Sequence, residues 1–174
     1  MGITKTVVKF WSGAYPDKLE AWLEHMELSG WHLVNVHWGG VKFVFEKGES
    51  STISYSLDYR AQVDEDYVGL LEDTGWELVF KSGGWFIWRK SYEEIKPELY
   101  TDIDSLVERN KRLLMVYGVL MLTQVPLAVL NVQHFTIWAY LLLYIPVFCI
   151  VGTAFAQTLH ANWKLKSKAN KGRN

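Results

Sequence analysis

The sequence predicts an α+β head of two βαββ repeats, forming a mostly antiparallel sheet with two helices on one face, followed by a two-helix transmembrane hairpin. Three observations carry this. Two Gly-Trp segments, Gly30-Trp31 and Gly75-Trp76, recur in the same order of motifs. Around them, runs with a period of two alternate with runs of helical period. Finally, residues 113–163 contain no Asp, Glu, Lys or Arg, in a chain of which 21% is charged.

The repeats come first. Trp22-Leu23-Glu24-His25-Met26 through Gly30-Trp31-His32-Leu33-Val34 aligns with Tyr67-Val68-Gly69-Leu70-Leu71 through Gly75-Trp76-Glu77-Leu78-Val79. Gly39-Gly40 and Gly83-Gly84 follow in each copy, so the repeats span about 5–48 and 51–92 of a 1–97 head. An ordered series of matches with one small gap is stronger evidence of a repeat than any single match. Within each unit the order reads strand, helix, strand, strand. The first strand is expected over Thr6–Trp11 and its counterpart over Ile53–Tyr59, where Ile53, Tyr55, Leu57 and Tyr59 share one face. Pro16 and Asp17 open the first helix, and Leu19, Trp22, Leu23 and Met26 form its apolar stripe. Gly30 and Gly75 stand where a helix end needs a left-handed residue, and the glycine pairs where a tight hairpin turn does.

After Pro97 a linker helix, 98–112, leads into the uncharged stretch at 113–160. About 20 apolar helical residues cross a bilayer core, so the stretch is divided into spans at about 113–130 and 135–159 with a polar turn between Asn131 and His134. Pro126 and Pro146 are compatible with membrane helices, which accommodate proline better than soluble ones. Arg109, Lys111 and Arg112 precede the first span. Lys164, Lys166 and Lys168 follow the second within a basic tail, 161–174. Positive charge at both outer ends and none in the turn predicts a membrane protein with two spans and both termini cytoplasmic.

Charge excludes one class of partner. All 19 acidic residues lie in the first 112 positions against 13 Lys/Arg, a net charge of −6. A nucleic-acid-binding surface should be basic, so no nucleic acid is expected. The single cysteine, Cys149, forms no internal disulfide.

Several motifs in this order, Trp22-Leu23-Glu24, Gly30-Trp31-His32-Leu33, Phe43-Val44-Phe45-Glu46-Lys47-Gly48, Gly75-Trp76-Glu77 and Gly83-Gly84-Trp85 among them, resemble the DUF2812 family over roughly residues 5–112. The resemblance implies a bacterial membrane-attached protein of unknown function, encoded beside a PadR-type transcriptional regulator. It implies no catalytic residues.

Seven tryptophans occur before the uncharged stretch, and large rings with a polar handle suit binding surfaces. The expected aromatic face is Trp38, Tyr55, Tyr59, Trp85 and Trp88. The competing reading of the same rings is core volume. His25, His32 and His37 lack a cysteine or carboxylate at a ligand spacing, and an odd separation puts His32 and His37 on opposite strand faces, so no metal and no cofactor is expected. No nucleophile motif or phosphate loop occurs. The functional expectation is a non-catalytic, membrane-anchored cytosolic binding or sensory module with a regulatory or partner-recruiting role. Its partners would be the lipid bilayer, a protein or small ligand, and a second copy of the chain. The alternative is an accessory or assembly protein acting through its hairpin.

Overall fold

The computed structural model describes residues 2–60, 65–99, 103–131 and 137–172. It divides into two units, Met1–Thr101 and Asp102–Asn174. The first half of the head runs β1 (Thr4–Val8), α1 (Asp17–Leu28), β2 (Trp31–His37) and β3 (Lys42–Lys47). The second runs β4 (Ile53–Tyr59), α2 (Glu65–Asp73), β5 (Glu77–Ser82) and β6 (Trp85–Ser91). Pro16, with φ −65°, supplies the N-cap of α1. Gly30 ends it at φ +73°, where an added Cβ would stand 2.5 Å from the Gly48 carbonyl oxygen. Only glycine fits both the dihedral and the space.

One shared sheet was expected; there are two. The strands form separate antiparallel sheets, ordered β1-β3-β2 and β4-β6-β5. Each half carries a bulge at the equivalent place, between Leu33 and Asn35 in β2 and between Leu78 and Phe80 in β5. A bulge twists its strand and interrupts regular pairing, and β2 and β5 approach each other without a backbone ladder. The Leu33 carbonyl instead accepts a bond from Arg89 Nη1 at 3.0 Å. The turns also differ. His37 pairs with Lys42 across four intervening residues, whereas Ser82 pairs with Trp85 across Gly83 and Gly84 alone.

The helices do not share one sheet face either. Leu19, Leu23 and Met26 of α1 pack with Leu33 and Val36 of β2, Phe43 and Phe45 of β3, Tyr55 and Leu57 of β4 and Ile87 of β6. The side chains alternating with these on β6, Phe86 and Trp88, form a second core with Leu71 of α2 and Trp76. Because successive strand residues point to opposite faces, α1 and α2 serve opposite faces of the β4-β6-β5 sheet.

α1 also finishes the exposed edge of β4. Glu20 Oε1 accepts the Leu57 N–H at 2.7 Å and Glu24 Oε1 the Tyr55 N–H at 3.1 Å. Four residues of helix rise about 6 Å and two residues of strand about 6.6 Å, so the spacings match. Edge strands left open invite pairing with other chains; here two carboxylates occupy the edge donors.

The second unit contains α3 (Ile103–Asn131) and α4 (Ile137–Gly172), packed against each other. The expected linker helix is the first part of α3, continuous with the apolar part and with Pro126 inside it. The expected two-helix transmembrane hairpin is not borne out: among the described residues one stretch, Tyr144–Ser167 of α4, is long and apolar enough to cross a membrane, at mean hydropathy 1.3 and 6% buried. α3 begins with the charged turns around Asp104–Arg112 and interrupts its apolar run at Thr123, Gln124 and Pro126. The expected polar turn at 132–134 lies outside the described residues.

Glu20→Ala should destabilise the head by about 1–3 kcal/mol, the cost of removing the carboxylate that accepts the buried Leu57 N–H. Glu20→Gln, which keeps an acceptor, should cost less; urea unfolding of the two variants measures the difference.

Candidate functional site

The structure separates the five aromatic residues expected to form one face. Tyr59 and Trp85 meet, with ring centroids 5.3 Å apart, and Trp11 joins them edge-on to Trp85 at 4.8 Å. Trp11 Nε1 donates to the Gly40 carbonyl at 2.7 Å, tying this cluster to the β2–β3 turn. Tyr55 lies on the same sheet face, further along β4, but is buried in the main core. Trp88 points to the other face, fully buried and stacked on Phe86 at 6.2 Å. Its Nε1 has no hydrogen-bond partner among the described residues. Trp38 stands alone at the β2–β3 turn, 68% exposed, with Lys42 Nζ 4.9 Å from its ring centroid. Its φ of +54° makes it the one non-glycine residue in the left-handed region among the described residues.

Two buried carboxylates, which sequence reasoning did not single out, organise the polar chemistry of the head. Glu27 of α1 is 0% exposed. Its Oε1 accepts the Leu33 N–H at 3.0 Å and the Tyr55 hydroxyl at 2.6 Å. Its Oε2 takes His32 Nδ1 at 2.6 Å and the Ser51 hydroxyl at 3.0 Å. Four donors fill the acceptor capacity of one carboxylate. Asp58 of β4 is likewise fully buried. It accepts the Tyr59 N–H at 2.6 Å, Arg60 Nε at 2.9 Å and the Tyr67 hydroxyl at 2.7 Å. The Arg60 guanidinium then lies 3.5 Å over the Tyr67 ring centroid. The signal for Glu27 was legible: Leu19, Leu23 and Glu27 recur every four residues, which sets a carboxylate on the apolar stripe. Nothing in the sequence pattern distinguished Asp58 from Ser54 and Ser56, its neighbours on the same face.

Serine, histidine and glutamate meet around Glu27, but not as a nucleophilic triad. In a triad the acid and the serine use opposite imidazole nitrogens. Here Glu27 Oε2 and Ser51 Oγ both face His32 Nδ1, at 2.6 and 3.4 Å. The other nitrogen, Nε2, lies against Gly48 so closely that an added Cβ there would come within 2.6 Å of it. The cluster is built to hold α1, β2 and β4 together.

Burial and then the Glu27 hydrogen bond push the Tyr55 hydroxyl well above its ordinary range. Burial followed by the Asp58 charge does the same to Tyr67. Glu77 is held below the usual carboxylate range by its hydrogen bond from Arg89, at 2.8 Å through Nε.

A family model described as a protein of unknown function (DUF2812) matches residues 15–122. The chain belongs to that family. The DUF2812 match covers α1 through the first part of α3 and begins after β1. No curated protein and no solved structure matches the chain.

The β2 bulge alters one histidine expectation for this DUF2812 chain. His32 pairs with Glu46 and His37 with Lys42, four residues apart on the regular strand β3, so the two histidines share a face. No group of three metal-ligating side chains forms among the described residues. Of the basic residues expected to flank the membrane, Lys111, Lys164 and Lys166 are exposed, Arg112 lies 3.7 Å from Glu108, and Arg109 is buried. The Lys168 side chain lies outside the described residues.

Tyr55→Phe should cost about 1.5–3 kcal/mol, because it removes a donor from a buried charged acceptor. In the wild type, Tyr55 and Tyr67 favour the fold fully below the ordinary tyrosine value near 10 and progressively less above it. Denaturant melts across that alkaline range should show the decline, smaller in Tyr55→Phe. Trp38→Gly should be neutral or stabilising by about 1 kcal/mol, since it relieves a left-handed non-glycine residue; thermal unfolding checks the sign.

Proposed function

We propose that this chain is a membrane-anchored, non-catalytic binding or sensory module. In this reading the head recruits a protein or small ligand and a regulatory response follows from its occupancy. One observation carries the reading: a folded α+β head precedes, in one chain, a helix whose stretch Tyr144–Ser167 can cross a membrane. Around it, Met115, Leu122, Leu130, Trp138, Leu142 and Ile150 are large apolar side chains left exposed on α3 and α4. Soluble monomers rarely expose contiguous apolar surface on that scale; lipid or a partner would cover it. Saturated hydrogen bonding at Glu27 supports a scaffold role for the polar cluster and leaves the exposed Trp38, with the partly exposed rings of Trp11 and Trp85, as the candidate binding surface.

A second reading assigns the contact to the helices, which would assemble with another membrane protein or a second copy. Gly152 supports it. A Cβ added there would meet nothing within 4 Å among the described residues, so the small surface of Gly152 and Ala156 is open rather than spent on α3. Small residues at this spacing allow close helix approach in membranes.

Membrane fractions of the expressed full chain should retain it through alkaline carbonate washing; release into the supernatant would sink the anchored reading. Replacing 103–172 by an unrelated anchor separates the two readings. Partner capture retained after the exchange supports the head as the working part, and capture lost with a folded head supports the helices.

A further inference from the structure

The outer face of the β1-β3-β2 sheet changes character along its length. Register puts Thr4, Thr6 and Val8 of β1 beside Glu46, Val44 and Lys42 of β3, with His32, Asn35 and His37 of β2 on the far side. At one end the face is polar. At the other it carries Val8 and, two residues on, Phe10, 50% and 83% exposed, together with the exposed Trp38. The ladder continues past β1 through Lys9 N–H to the Val41 carbonyl at 2.8 Å, which holds Phe10 beside the Trp38 turn. Lys42 lies over the Trp38 ring.

Charge is segregated in the same place. In a head with a net excess of acid, residues 1–16 and 28–45, which supply β1, β2, the β2–β3 turn and most of β3, contain no Asp or Glu; Lys42 is their basic residue on this face, since Lys5 and Lys9 alternate onto the other, over the Trp31 and Trp22 rings. Exposed Trp and Phe beside Lys, without acid, is the composition that sits at a membrane–water interface. The backbone points the same way. A bulky residue held at positive φ is strained and persists only where something over-determines it, and here the strain projects an indole into solvent.

We propose that this turn end, Val8, Phe10, Trp38 and Lys42, docks on the headgroup layer of an anionic bilayer. The inference rests on the anchored reading, because α4 keeps a bilayer within reach of the head at high local concentration. Lys42 meets anionic headgroups, the Phe10 and Trp38 rings enter the interfacial layer, and contact answers to lipid charge.

The test uses the full chain with Cys149→Ser and one environment-sensitive fluorophore on Phe10→Cys, or on Thr4→Cys at the polar end. It is reconstituted into phosphatidylcholine vesicles with or without phosphatidylglycerol and quenched with spin-labelled lipid. The expected result is quenching at position 10 only, dependent on phosphatidylglycerol. Lys42→Gln should weaken contact about fivefold, the equivalent of one basic residue at an anionic surface. Trp38→Gly should reduce contact without lowering the unfolding temperature. An unquenched label at position 10 in floating anionic vesicles overturns the proposal while leaving the anchor intact. So does equal quenching without phosphatidylglycerol, or a blue-shifted label that lipid spins do not reach, which would mark a second copy on this face. A chain that floats with no vesicles overturns the anchored reading and this one together.

Discussion

Three glutamates on α1 join two halves that share no backbone ladder. Glu20 and Glu24 accept the outward N–H groups of β4, and Glu27, nearly one turn further on, accepts from β2, β4 and the Ser51 loop. Their positions follow one side of the helix, where residues three and four apart are neighbours. Arg89 closes the arrangement from the opposite half by donating to Leu33 of β2 while paired with Glu77. A three-stranded sheet alone is marginal. Here each gains its partner through α1, because the helix offers an apolar stripe to the shared core and acceptors to the open edge.

This dependence explains why a helix carrying Glu20, Glu24 and Glu27 beside Leu19, Leu23 and Met26 is not amphipathic in the ordinary sense. Its acidic residues are not a solvated face. Burying a carboxylate costs several kcal/mol unless hydrogen bonds replace its water, and at Glu27 four do. The same logic recurs at Asp58, where a strand carboxylate is satisfied by a backbone N–H, a guanidinium and a phenol.

The tryptophans divide by what surrounds them. Trp22 and Trp88 supply core volume; Trp22 stands edge-on to Phe43 and Phe45 at 5.2 and 5.6 Å. Trp31 lies at the core margin with Lys5 and Lys47 over its ring at 5.2 and 5.0 Å. Trp38 is different in kind, since neither packing nor a hydrogen bond accounts for its exposure and its backbone is strained. In α3 and α4 the apolar residues are exposed for another reason: two packed helices have only one inward side each, and the outward sides in this unit carry Leu, Val, Phe and Met instead of charge.

Legible in the residue pattern alone are the order strand, helix, strand, strand in both halves of the head, the helix stops at Gly30 and Gly75, the glycine-dependent turns and the apolar helices at the C-terminal end. Each depends on residues within a few positions of one another, where periodicity and φ preference decide the outcome. Long-range packing sets the rest: the strands form two sheets, α1 and α2 serve opposite faces, and Tyr55 and Trp88 are core while Trp38 is surface. It also puts His32 and His37 on one face, because a single bulged residue at β2 reverses the side-chain phase beyond it. Those outcomes depend on which edges meet and which acceptors reach them, Glu20 to Leu57 and Arg89 to Leu33. Such pairings are set by geometry between segments far apart in the chain, which no local pattern encodes.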